Sequence, residues 1–295
     1  MSIFILIIAT TLGLAGLYFL LAVGLSLIFG LMDVLNLAHG AMFAFGGYMG
    51  ITLMQTLTFV EDLTLRFVLA FIGAGIIGFA VGVLIEKVLI ARSYGNHLAQ
   101  ILVTIGLGFV IVAVLRSVYG SSLLSIPQPE WFKQTVGIFG AFVPVSRLLV
   151  PAVALVLLIV LVSFLRFTKH GLIIRAGAEN RAMVRALGID VGRSFTLVFG
   201  IGSLLAAVGG VLAVVYFGGA TPEMGTTQLI FAFIVVVIGG MGSIGGTAVS
   251  ALVVATVQQL FNIYTLPGMG DIAVVVLLVL VLLLRPQGLL GRATA

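Results

Sequence analysis

The chain has 295 residues, of which 62% are hydrophobic and 8% charged, with 14 Lys and Arg against 9 Asp and Glu and a formal net charge of +5. An ordinary soluble domain carries roughly 25% charged residues, so this composition excludes a water-clothed globule and requires lipid as the main solvent. The absence of cysteine excludes disulfides and thiolate chemistry, His39, His97 and His170 are too scattered for a metal cluster, and basic residues set between apolar runs argue against nucleic-acid binding.

Only an internally hydrogen-bonded backbone can cross a hydrocarbon layer about 30 Å thick, and a helix needs roughly 20 apolar residues to do so. Residues 3–29 form an uncharged run with no basic segment before it, longer than the core of a signal peptide, and are expected to be a retained span. Further spans are predicted at 37–59, 67–85, 98–115, 148–165, 195–217 and 272–284. Segments 229–238 and 247–263 flank the run Gly239 to Gly246, which suits either two short spans or a broken, re-entrant helix. The expectation is an all-α polytopic transmembrane bundle of eight or nine spans, forming one domain over residues 1–295.

Lys and Arg in short loops mark the cytoplasmic side. Arg166, Lys169, Arg175, Arg181, Arg185 and Arg193 cluster in one connector, Lys87 and Arg92 in another, and Arg285 and Arg292 follow the last span. All three are expected inside, which puts both the N-terminus and the 119–147 loop outside and the C-terminus inside. Pro127, Pro129, Trp131 and Phe132 give that outer loop a short interfacial element. Many of the 38 glycines lie within spans, as at Gly46, Gly50, Gly73, Gly78 and Gly82, where small residues let helix backbones approach.

The connector at 168–193 is the most informative stretch. Within 175–190, Ala182, Met183, Ala186 and Leu187 share one side at helical spacing, Arg181 and Arg185 lie on the other, and Gly188 is placed to end the helix. Such a helix either rests on lipid headgroups or inserts its small-residue face into a groove on a partner protein.

Residues 175–212, with Glu179, Ala182, Gly188 and the run Ala206 to Leu212, resemble the loop by which ABC importer permeases dock on their ATPase. More specifically the chain resembles the branched-chain amino-acid permease family of the LivH type. The matching pieces are Gly24 to Phe29, Asn36-Leu37-Ala38-His39-Gly40, Gly46-Gly47-Tyr48, Thr104-Ile105-Gly106, Gly239 to Gly246 and Arg285 to Leu289, in order along nearly the whole chain. Where some importer loops end in prolines, this one has Ile189-Asp190-Val191-Gly192-Arg193.

The resemblance implies a non-enzymatic subunit of the bacterial inner membrane with no bound cofactor and no catalytic or metal residues of its own. ATP would be used by two partner ATPases, alongside a second related permease and a periplasmic substrate-binding protein. The expected docking residues are Glu179, Arg181, Ala182, Arg185, Gly188 and Ile189. The expected path residues are Asn36, His39, Gly40, Gly46, Gly47, Thr104, Gly240, Gly242 and Gly245. Branched-chain or other small hydrophobic amino acids are the implied cargo, with urea, short amides or other small solutes as the alternative.

Taken by itself, Asn36 suits an N-cap before the second span, and His39 a packing residue or helix-start donor. Glu223, Gln228, Gln258, Gln259, Asn262 and Asp271 collect near the outer ends of the last spans. Gly240, Gly242 and Gly245 match a dinucleotide fingerprint in spacing but lack the surrounding strand and helix, so a tight bend is the better account. An ion-coupled transporter would use intramembrane carboxylates, yet Asp33, Glu61, Glu86 and Asp271 all fall at predicted span ends. An intramembrane enzyme would need a nucleophile elbow, a zinc motif or paired aspartates, and the sequence has none of these motifs.

Overall fold

The computed structural model describes residues 2–138 and 140–290. It is an all-helical bundle in which six helices are long and apolar enough to cross a membrane: α1 (Ser2–Met32), α3 (Leu63–Ile85), α4 (His97–Tyr119), α6 (Val145–Phe167), α9 (Val191–Phe217) and α11 (Ile244–Tyr264). Three shorter helices complete it: α2 (His39–Thr56), α10 (Met224–Gly239) and α12 (Met269–Leu284). The 16-residue α10 and α12 span only about 24 Å each at 1.5 Å per residue.

Contacts between sequence-distant residues sort the helix ends into two sets. At one end Gly30 meets Gly242, Asp33 faces His97 at 3.7 Å, Glu86 accepts from Thr196 at 2.7 Å, and the amide of Leu289 donates to Ile238. At the other, the Thr52 and Tyr119 hydroxyls lie 2.5 Å apart, Trp131 donates to Thr64, Tyr216 donates to the Thr10 carbonyl, and Leu124 bridges Ala220. The basic connectors before α4, before α9 and after α12 all lie at the first end, which is called the basic end below.

The 119–147 connection carries the expected interfacial element as a one-turn helix, α5 (Glu130–Lys133), whose Phe132 packs edge-on to Phe67 of α3. It also holds an antiparallel hairpin that the span pattern gave no hint of, β1 (Thr135–Ile138) with β2 (Ala141–Pro144).

The core sits around α9, the most enclosed of the long helices. Its small residues take the backbones of two neighbours: a Cβ on Gly46 would overlap the backbone of Ala207, one on Gly210 the carbonyl of Phe43, and one on Gly78 the side chain of Ala207. Gly40 of α2 and Gly225 of α10 touch backbone to backbone in the same way. Helices that approach this closely gain dispersion contacts that lipid cannot supply.

The run Gly239 to Gly246 separates two helices, α10 and α11. Between them residues 240–243 form a tight turn in which Gly240 and Gly242 adopt positive φ of 95° and 81°, and Ser243 caps α11 by accepting from Gly246 N at 3.1 Å.

Gly210→Ala drives a Cβ into backbone and is expected to destabilise the folded protein by about 2–3 kcal/mol. Gly106→Ala on α4 meets no atom within 4 Å and should be neutral or stabilising by up to about 1 kcal/mol. Thermal unfolding in detergent, followed by size-exclusion chromatography, separates the two.

Candidate functional site

The chain leaves the helical ladder between α1 and α2. Residues 33–38 are non-helical, Asp33 takes a left-handed φ of 54°, and α2 begins only at His39. His39 lies against Gly24, where a Cβ would come 2.8 Å from its Nε2. Gly24 is roughly 12 Å along α1 from Met32, so α2 starts well inside the bundle and irregular backbone runs up to it. Lipid cannot satisfy such backbone, and it persists only where protein or a polar cavity surrounds it.

That protein is α4, which lies alongside the irregular segment in register. His97 faces Asp33, Thr104 Oγ1 donates to the Leu35 carbonyl at 3.3 Å, and Gly108 lies against Leu37 and Ala38. His97, Gln100, Thr104 and Gly108 fall on one stripe of α4, at the three- and four-residue spacing of a helix face. Asn36 and Gln100 are 1% and 3% exposed, yet both side-chain atoms of Asn36 and Oε1 of Gln100 have no hydrogen-bond partner among the described residues.

The expectation that Asn36 caps α2 is therefore corrected. The residue at the cap position is Ala38, which makes no side-chain cap, and only the backbone carbonyl of Asn36 serves the helix, accepting from His39 N at 3.2 Å. His39 is buried at the helix start, as expected, with Nε2 3.1 Å from the Leu21 carbonyl and Nδ1 unpartnered.

Of the other expected path residues, Thr104 joins Asn36 at the α4 seam. Gly40, Gly46 and Gly47 form the close crossings of α2 with α9 and α10; Gly240 and Gly242 belong to the turn at the basic end, where Gly242 N donates to Ser26 Oγ at 3.1 Å, and Gly245 lies in the first turn of α11. Gln100 was not among the expected residues. Its signal was available in the polar stripe on an otherwise apolar helix.

The basic connector holds two helices rather than one. Helix α7 (Lys169–Glu179) contains Arg175 and Glu179 and packs on the bundle through Gly171, Ile174 and Gly177, with Gly177 against Leu31. Asn180 then accepts from Met183 N at 2.9 Å and starts α8 (Arg181–Ala186). Gly188 ends it as expected, with φ of 75° and the Ile189 amide reaching back to the Val184 carbonyl at 3.4 Å. Met183 and Leu187, one turn apart, are 63% and 71% exposed. The side chains of Arg181, Ala182 and Arg185 lie outside the described residues, as does Arg292. Asp190 caps α9 through Gly192 N, so α8 passes almost directly into the central helix.

Glu86 stands at the end of α3, as expected, and is buried there as the helix widens into a π turn, accepting from Tyr94 at 2.5 Å as well as from Thr196. At the opposite end the polar residues fall into two groups. Glu223 pairs with Arg116 of α4, whose guanidinium holds the Glu223 carboxyl below its ordinary range. On α11 and α12, Tyr18 donates to Gln258 at 2.6 Å, Gln258 donates to Asp271 at 2.8 Å, and Asn262 accepts from Gly268 and Gly270.

Two comparisons with known proteins bear on this arrangement. The profile of the family described as branched-chain amino acid transport system / permease component matches residues 7–284. The chain belongs to this family. It is 30% identical to the high-affinity branched-chain amino acid transport system permease protein LivH of Salmonella typhimurium, over 93% of this chain and 91% of that one. It is 28% identical to BraD of Pseudomonas aeruginosa over 93% and 92%, and 28% identical to LivM of Escherichia coli K12 over 92% of this chain and 67% of LivM. No solved structure matches. This permease is thus a multi-pass membrane protein of amino-acid transport, and the LivH-type resemblance holds over most of its length.

Because the Glu223 carboxyl is depressed, its pairing stabilises the protein above the ordinary carboxylate range and that contribution is lost as pH falls through the lowered value. Wild type and Glu223→Gln are expected to differ in melting temperature at pH 7, by the equivalent of at most about 1 kcal/mol for an exposed pair, and to converge in acid. A pH series of thermal melts checks the sign.

Proposed function

We propose that this chain is the membrane-spanning permease subunit of an ATP-driven importer, carrying branched-chain or similar small hydrophobic amino acids. It crosses the bacterial inner membrane nine times, through α1, α2, α3, α4, α6, α9, α10, α11 and α12. The basic end is cytoplasmic, because Lys87, Arg92, the six basic residues from Arg166 to Arg193, and Arg285 gather there, against Arg66, Arg116, Lys133 and Arg147 at the other end. The N-terminus is then outside and the C-terminus inside.

The observation that carries this reading is α8. An exposed apolar pair, Met183 and Leu187, stands at the charged end of the bundle on a helix closed by a left-handed glycine. Its area is small for anchoring in lipid and suits a groove on a partner, which here is a nucleotide-hydrolysing subunit. Two such ATPases would serve this permease and a second, related one, for which the likeness to both LivH and LivM is the support. A binding protein outside would deliver cargo.

In this scheme the permease performs no chemistry. Closure of the ATPases on ATP pulls α8, and Asp190 passes the displacement into α9, whose small residues meet α2 and α3. The path opens and closes by movement of packed helices around the α1–α2 break.

Leu187→Asp places a charge on the docking face without touching the core. It is expected to abolish co-purification with a P-loop ATPase from mild detergent, and ATP-dependent uptake with it, while the permease still reaches the membrane. Undiminished co-purification and uptake would refute the assignment of α8.

A further inference from the structure

The seam between residues 33–38 and α4 carries a specific chemical signature. A buried side-chain amide without partners costs about 1–3 kcal/mol, and few native groups are left so. Both polar side-chain atoms of Asn36 and Oε1 of Gln100 are left so, each residue at least nine-tenths buried, on the two sides of one seam whose register is fixed by Thr104 with Leu35 and by Gly108 with Leu37 and Ala38. Around them Val34, Ala38 and Met42 are apolar and buried. The contact of Asp33 with His97 lies at the basic end of the seam and is largely exposed.

We propose that Asn36 and Gln100 are the specificity-determining residues of the translocation route, hydrogen-bonding the α-ammonium and α-carboxylate groups of an aliphatic amino acid as it passes the α1–α2 break. The inference rests on the transport reading above and deepens it. A carboxamide offers two N–H donors to a carboxylate and a carbonyl acceptor to an ammonium, so a pair of them matches a zwitterion of no net charge. Fixed charges would hold one end of a zwitterion too tightly for release, and a wholly apolar seam would leave both ends unsatisfied. Neutral amides beside apolar neighbours meet both halves of the molecule, polar head and aliphatic side chain. The free backbone of the segment adds to this, because the amides of Val34, Leu35 and Leu37 donate to no backbone carbonyl among the described residues.

This assignment predicts a trade between stability and transport. Replacing an unpartnered buried amide by an apolar group of like shape removes a penalty and should leave the melting temperature equal or higher, whereas a group used only for transport is missed only in transport. The assay is ATP-dependent uptake of radiolabelled leucine by proteoliposomes holding the permease with its partner subunits and the binding protein. Asn36→Leu and Gln100→Met are each expected to lower uptake at least about tenfold, corresponding to ~1.4 kcal/mol, with unchanged subunit assembly and no loss of melting temperature. If Leu at position 36 prevents accumulation in the membrane, Gln100→Met alone decides. Uptake within about twofold of wild type, or a fall in uptake matched by a fall in melting temperature, would overturn the assignment while leaving the transport reading intact. Wild-type protein that shows no ATP-dependent leucine uptake would overturn both.

Discussion

A chain dissolved in hydrocarbon must satisfy its own backbone, and every feature of this protein follows from how that demand is met or set aside. Helices meet it completely, so the bundle is built from little else. Packing those helices without a hydrophobic gain between them requires close approach, which the glycines of α2 and the alanines and glycines of α9 provide. The demand is set aside between Met32 and His39, where the segment is held by α4 instead of by its own ladder. A break of this kind within a bundle is costly to keep, and on the proposed reading it places polar groups where an otherwise apolar route needs them.

The two ends of the molecule are specialised for different neighbours. The end opposite the basic connectors is closed by paired groups, Arg116 with Glu223 and Thr52 with Tyr119, together with the α5 and hairpin cap over α3. The basic end is open in chemical terms, with α8 presenting Met183 and Leu187 beyond the packed helices. On the proposed mechanism these ends communicate through α9, since α8 leads into it within a few residues and α9 in turn backs the helix that starts at the break.

Much of this was legible in the sequence, because lipid exposure writes a strong pattern. The run at 195–217 reappears as α9 (Val191–Phe217), the stop at Gly188 is where the structure puts it, and the basic connectors share one end. The glycine-rich turn after α10 was less legible: the turn carries no charge, so apolar helix and apolar turn blend into one run that a hydropathy pattern cannot divide. Asn36 stands where a cap would stand, and no local rule reveals that α4 keeps the backbone beside it out of a helix. Gln100 could have been found from its spacing with His97, Thr104 and Gly108, a polar stripe on an apolar helix. The burial of Glu86 depends on a π turn and on Thr196, a partner more than a hundred residues away. The hairpin strands, four residues each, are too short for a periodic signal.

The central claim is that α8 faces the cell interior, where an ATPase can reach it. The chain contains no cysteine, so a single cysteine introduced at Leu187 can be followed without background using a membrane-impermeant maleimide. The account predicts labelling in inside-out vesicles and none in intact spheroplasts. Labelling in intact spheroplasts would put α8 on the outer face and contradict it.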